Sequence, residues 1–199
     1  MKHQHAKRIG ALVLTIGGAL VLPACSLIPQ PKRYLSEVAV DYNPADSARV
    51  RFYVEAGTSA SYRADSTCYS PWYEEDSKRV AVTGTGLFDS WKYSSHSTTI
   101  GMPLSPRPWM RFEGLVFKSA INEYVVKGAK PMTISMSETS QNWKCDPPSV
   151  SFVPEPGKDY DVFMSTQYRR CWIEVREIDA DGKDIPIKPN EASRCSASS

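Results

Sequence analysis

The sequence predicts an all-β domain folded as an antiparallel β-sandwich, and three observations carry that expectation. About eight short runs rich in β-branched and aromatic residues recur roughly every 8 to 15 residues. The chain's 15 prolines and 11 glycines punctuate them. No stretch shows the apolar period of an amphipathic helix. An immunoglobulin-like or prealbumin-like arrangement satisfies this pattern, an open β-barrel is the alternative, and there is no internal repeat.

The strands fall within a single domain, residues 48–199. Val50, Phe52 and Val54 alternate with Arg49, Arg51 and Tyr53, the period of a strand with one apolar and one wet face, and Gly57 ends it. A polar stretch through Arg63 and Asp65 leads to Cys68, and Pro71-Trp72-Tyr73 followed by Glu74-Glu75-Asp76 reads as a loop. Arg79 to Thr85 is the next strand, closed by Gly84 and Gly86. Leu87 to Ser97 has room for one helical turn. Pro103, Pro106 and Pro108 make Gly101 to Trp109 a loop or irregular edge. The second half is plainer: Met110 to Phe117, Glu123 to Val126, Met132 to Met136, Val150 to Val153, Tyr160 to Tyr168 and Cys171 to Ile178 are each short and β-rich. Turn residues separate several of them, with Pro154 to Asp159 and Gln167 to Arg170 at two hairpin positions and Asp181-Gly182 as a third signal. Ile185 and Ile187 return as a short strand around Pro186, and the polar tail has Cys195 as its one anchor.

Ahead of this domain stands a leader. Lys2, Lys7 and Arg8 precede an uncharged apolar run from Ile9 to Val21, and small residues follow, the layout of a secretory signal peptide over residues 1–24. The run is shorter than the roughly 20 apolar residues of a membrane span. Leu22-Pro23-Ala24-Cys25 resembles the lipobox of bacterial lipoproteins, with Pro23 where that family usually has Ala, Ser or Thr. The resemblance implies diacylglyceryl transfer to Cys25, cleavage before it, and a membrane-attached mature protein. Ser26 is not the Asp that in such lipoproteins signals inner-membrane retention, so the implied destination is the outer membrane, periplasmic face. Residues 25–47, with Pro29, Pro31 and Pro44, read as a tether that at roughly 3.3 Å per residue reaches up to about 60 Å. Val38-Ala39-Val40 is its one stretch suited to pairing as an edge strand.

Lys2, Lys7 and Arg8 account for three of the 24 basic residues, so the mature chain carries 21 basic against 22 acidic ones. Near neutrality, with no basic run longer than Lys32-Arg33, argues against nucleic acid as a partner. Beyond Cys25 the cysteines are Cys68, Cys145, Cys171 and Cys195, an even set in an exported chain and hence two disulfides. Cys145 and Cys171 flank the Tyr160 to Tyr168 strand and can meet at one end of a meander. Of the three connectivities that four cysteines allow, this choice leaves Cys68 with Cys195, tying the tail to the early loop. The spacings lack the close pairs of a zinc site, and no metal or cofactor is expected.

The catalytic motifs that can be read from sequence are missing: no G-x-S-x-G, Walker loop, H-E-x-x-H or Rossmann glycine pattern occurs. His96, in Ser94-Ser95-His96-Ser97, is the one histidine after residue 25 and reads as part of a solvated loop. Glu74-Glu75-Asp76 lacks a second acidic cluster for a glycosidase pair or a calcium loop. Of five tryptophans, Trp72, Trp109 and Trp143 sit in turn-like contexts and are the candidate ligand or partner contacts; aromatics filling the core are the competing explanation. The segment Phe152 to Tyr160 resembles the strand-turn-strand of small β-sandwich lipoproteins of the bacterial envelope. The layout is also similar to the sandwich lipoprotein of type VI secretion, from which the four further cysteines set this chain apart. The expected function is a non-enzymatic, membrane-anchored binding or assembly module whose partner is another envelope protein, with a small-molecule or glycan ligand as a variant. The alternative is an envelope hydrolase acting on peptidoglycan or glycan, working through His96 and an acid.

Overall fold

The computed structural model describes residues 32–82, 94–116, 118–140 and 143–196, so the signal peptide, Cys25 and Trp91 lie outside the described residues. Two sheets pack face to face. The larger runs β1 (Lys32–Glu37), β6 (Ser94–Thr99), β7 (Ala120–Lys127), β2 (Ser47–Val54), β11 (Asp159–Gln167), β12 (Arg170–Ile178) and β13 (Asp184–Ile187) in spatial order. The smaller runs β14 (Asn190–Glu191), β10 (Val150–Phe152), β8 (Met132–Thr139), β3 (Thr58–Ala64) and β5 (Arg79–Ala81), with β9 (Lys144–Cys145) beside the end of β8. A two-stranded ladder joins β4 (Cys68–Tyr69) to β15 (Ser193–Arg194). The chain is therefore the all-β sandwich expected, and neither sheet closes into a barrel. Most ladders are antiparallel, but β1 with β6, β6 with β7, β2 with β11 and β4 with β15 are parallel. Among the described residues no helix is long and apolar enough to cross a membrane.

Alternation builds the core. Val50, Phe52 and Val54 of β2 meet Ala60 and Tyr62 of β3, Met132, Ile134 and Met136 of β8, and Val162, Ile173 and Val175 of β11 and β12, all buried. Phe52 stacks on Tyr62 at 5.8 Å and meets Tyr124 edge-on at 5.9 Å, geometries worth about 0.5–1.5 kcal/mol each beyond area burial. At the lower end, the Pro154–Lys158 turn docks through Gly157, whose amide donates to the Ser47 carbonyl. The Glu155 amide donates to the Tyr160 hydroxyl at 3.0 Å, and burial pushes that phenol up to about 12. At the upper end Gly57 turns β2 into β3 with φ of 87°. A side chain there would strike the Thr139 carbonyl, so only glycine fits.

Several sequence-based expectations are corrected. Lys32–Glu37 is not tether but a strand, in register with Ser94–Thr99; Val38-Ala39-Val40 follows its end, where the Val38 amide donates to Thr99. The serine-rich segment around His96 is that partner strand rather than a solvated loop. Thr58–Ala64 is an inner strand, paired on one side with β8 and on the other with β5. Met110 to Phe117 is not a strand: over the described part, Pro108–Met110 and Phe112–Gly114 form two short 3-10 turns. The reason lies across the sheet. Residues 100–115 fold as a strap over the outer face of the large sheet, where Met110 and Leu115 join Tyr53, Ile121 and Phe163 in a second apolar cluster. The face of β2 expected to be wet is therefore largely covered.

Candidate functional site

Under the strap runs a chain of ion pairs. The Arg51 guanidinium reaches Glu123 at 2.7 Å and Asp161 at 3.0 Å, and the three side chains are 3, 2 and 0 % exposed. Asp161 also takes Arg107 at 3.2 Å and the Ser105 hydroxyl at 2.5 Å. Arg107 and Arg176 both close on Asp184. Burial pushes the Asp161 carboxyl up, opposed by Arg51, Ser105 and Arg107. The Ile100 and Met102 amides donate to Glu123, and Arg51 donates to the Pro103 carbonyl, so the strap's own backbone completes the network. No buried side-chain polar atom among the described residues lacks a hydrogen bond. These charges are committed to holding the strap. A groove of about 520 Å³ lies beside it, between Leu35, Val38, Met102, Leu104 and Phe112.

A second concavity is polar and is lined in part by a loop that carries two exposed aromatic rings. Chain segment 70–78, between β4 and β5, carries Trp72 and Tyr73 at its tip, 86 and 64 % exposed, their rings edge-to-face at 5.8 Å. The loop is held from three directions. The Arg79 guanidinium donates to the carbonyls of Pro71 at 2.8 Å, Glu74 at 2.6 Å and Ser70 at 3.4 Å. Asp76, with its side chain 6 % exposed, pairs with Arg63 at 2.8 Å and accepts the Lys78 amide at 3.0 Å. Burial raises its pKa, but the Lys78 amide, Ser70 and Arg63 outweigh this and hold it below the usual carboxylate range. Finally Cys68 is bonded to Cys195, with Cα atoms 4.9 Å apart, and Arg194 of the same tail pairs with Glu74. Arg63, Ser70, Glu74, Asp76, Lys78 and Arg194 line a cleft of about 650 Å³ formed in part by this loop. A large apolar surface is thus presented on a loop whose conformational entropy is already lost on folding, the condition for a preorganised contact.

The remaining candidates scatter. Trp109 is 37 % exposed but leans on the strap's apolar cluster, edge-on to Tyr53 at 4.8 Å and to Phe163 at 5.1 Å, and does not join Trp72. Trp143 is half-buried beside β9, its carbonyl accepting the Ser140 amide at 2.8 Å. His96 is exposed and stacked on Tyr34 at 4.7 Å; its neighbour Ser97 is turned inward and accepts the Ile121 amide. The second disulfide joins Cys145 to Cys171, Cα atoms 6.3 Å apart, so both bonds follow the expected pairing, but this one ties the small sheet to the large one rather than closing a meander. Sequence reasoning missed the part played by Arg63, Arg79 and Asp76 in fixing the loop. Its one legible signal was the density of charge around Pro71. No family model, curated protein or solved structure matches this chain.

Proposed function

We propose that this protein is a lipid-anchored envelope lipoprotein of the periplasm that acts without catalysis, capturing a protein partner through the Trp72–Tyr73 tip. The anchor rests on the lipobox at Leu22 to Cys25. The observation that carries the binding role is the 86 % exposure of Trp72 on a loop fastened by a disulfide and two arginines. A single exposed apolar side chain is ordinary on a protein surface, but two aromatic rings on a braced loop supply the rigid anchor at which binding energy concentrates. The charged cleft formed in part by this loop provides the polar surround, with both signs present in Glu74, Lys78 and Arg194.

The test has two arms. A photocrosslinking residue in place of Tyr73 should capture one defined partner in intact envelopes, and Trp72→Ala should abolish that capture while leaving the unfolding midpoint unchanged. A hot-spot tryptophan contributes at least about 2 kcal/mol, roughly a 30-fold loss of affinity. Undiminished capture by Trp72→Ala would overturn the binding role. Separately, Cys25→Ser should release the protein from membranes, and normal fatty-acid labelling of that variant would overturn the anchor.

A further inference from the structure

The end of the large sheet at which β1 begins carries a second exposed aromatic surface, of different chemistry. The strand registers locate it. Lys32 pairs with Ser94, four residues above Thr98; Thr98 pairs with Asn122, Asn122 with Phe52, and Phe52 with Val162. Four residues above Val162 is Thr166, at the head of the β11–β12 hairpin. The chain therefore enters the domain at the same end of the large sheet as that hairpin's tip. With β1 counted as strand, only residues 26–31 separate Cys25 from the domain, a span of at most about 25 Å from Cys25 to Lys32 in place of the long tether expected from sequence.

The hairpin tip is built of large side chains. Tyr168 and Arg169 form its two-residue turn with φ of 48° and 66°, positions that a tight hairpin ordinarily gives to Asn-Gly. Tyr168 is 91 % exposed. Arg169 and Arg170 beside it have no ion-pair or hydrogen-bonding partner for their side chains among the described residues, whereas every other described arginine holds a carboxylate or a carbonyl. Trp172 is exposed on the same hairpin. The Cys145–Cys171 disulfide brings Lys144, also exposed, to the hairpin's base. Tyrosine and tryptophan favour the membrane–water interface, and unpaired cations favour anionic head groups. The Trp72 loop is held at the other end of the strands: its clamp Arg79 pairs with Arg63, next to Ala64 and Met132 where β3 ends and β8 begins.

We propose that the Tyr168–Arg170 hairpin tip, with Trp172 and Lys144, docks on the phospholipid surface that receives the Cys25 anchor and thereby holds the Trp72–Tyr73 tip away from the membrane. This rests on Cys25 being acylated. Docking fixes which face of a short-tethered domain is offered to a partner, which the lipid anchor alone leaves free.

The experiment places p-benzoylphenylalanine at Tyr168, and separately at Trp72, in the mature acylated protein reconstituted into vesicles of phosphatidylethanolamine with one quarter phosphatidylglycerol. Irradiation should yield phospholipid adducts from position 168 and none from position 72. Combining the position-168 probe with Arg169→Glu and Arg170→Glu should lower the docking equilibrium about 30-fold, at about 1 kcal/mol per basic residue near an anionic surface, and should leave the fold intact because both side chains are free. Equal adduct yields at the two positions, no adducts at 168, or a yield indifferent to the double substitution would overturn docking. If Cys25→Ser still releases the protein in that case, the anchor stands and only the orientation fails. A Cys25→Ser protein that stays in the membrane fraction removes the premise of both.

Discussion

Replacing Arg51 by methionine isolates the charges beneath the strap. Asp161 would keep Arg107 at 3.2 Å and Ser105 at 2.5 Å, and so retain a counter-charge. Glu123 would keep the Ile100 and Met102 amides, at 2.7 and 3.3 Å, but no paired cation, since Arg49, which acts on it through space, is already bound to Asp159. Removing one partner of a buried pair costs about 3–5 kcal/mol, because an uncompensated charge stays behind. In a domain of this size each kcal/mol moves Tm by about 2–4 °C, so Arg51→Met should melt about 6–20 °C lower. Adding Glu123→Gln removes the orphaned charge while its amide oxygen still accepts from the strap. The double variant should recover to within about 2 kcal/mol of the parent. Urea unfolding, with the slope checked for constancy, measures both. A single-variant loss below about 1 kcal/mol, or a double variant no better than the single, would refute the reasoning that the strap keeps water from these groups.

Three further outcomes are expected. Replacing Cys68 and Cys195 together by alanine should cost up to about 5 kcal/mol and Cys145 with Cys171 about 3.5 in the chain-entropy treatment, because the first pair closes 127 residues and the second 26; unfolding curves in the opposite order would contradict it. Asp76 has its folded pKa held down, so its contribution is present above the ordinary carboxylate value near pH 4 and fades as pH falls through the folded value. Amide protection of residues 70–79 should therefore drop in acid, and Asp76→Asn should show low protection with no such dependence. His96→Ala loses only its stacking on Tyr34, so stability should fall by less than about 1.5 kcal/mol and partner capture should not change; a loss of function with the fold intact would point to the hydrolase reading.

The chain by itself determined the sandwich, most of its second-half strands and that four cysteines form two disulfides, whereas which cysteines pair was one choice among three. Met132, Ile134 and Met136, or Ile173 and Val175, alternate strictly, and Pro154 to Asp159 and Asp181-Gly182 lie between or after such runs, so each element's period and its turn are written side by side. The Cys145–Cys171 pairing came out as expected but not for the expected reason: β9 and β10 lie in the small sheet and β11 and β12 in the large one, so the bond bridges the two sheets and no meander joins them. Tertiary structure alone decided the rest. β1, β3 and β6 consist mostly of polar and small residues, without a strong apolar stripe; they are strands because neighbouring backbones offer partners, which no local pattern records. Arg51 reads as a solvent-facing residue because alternation reports that a face is polar, not what lies over it. A strap some fifty residues further on buries it, and Glu123 and Asp161, distant in sequence, make that burial tolerable. The same limit applies to the tryptophans. Trp72 and Trp109 each follow a proline, yet one stands 86 % exposed at a clamped tip and the other is 37 % exposed against Tyr53 and Phe163, because exposure depends on which distant surface a loop meets.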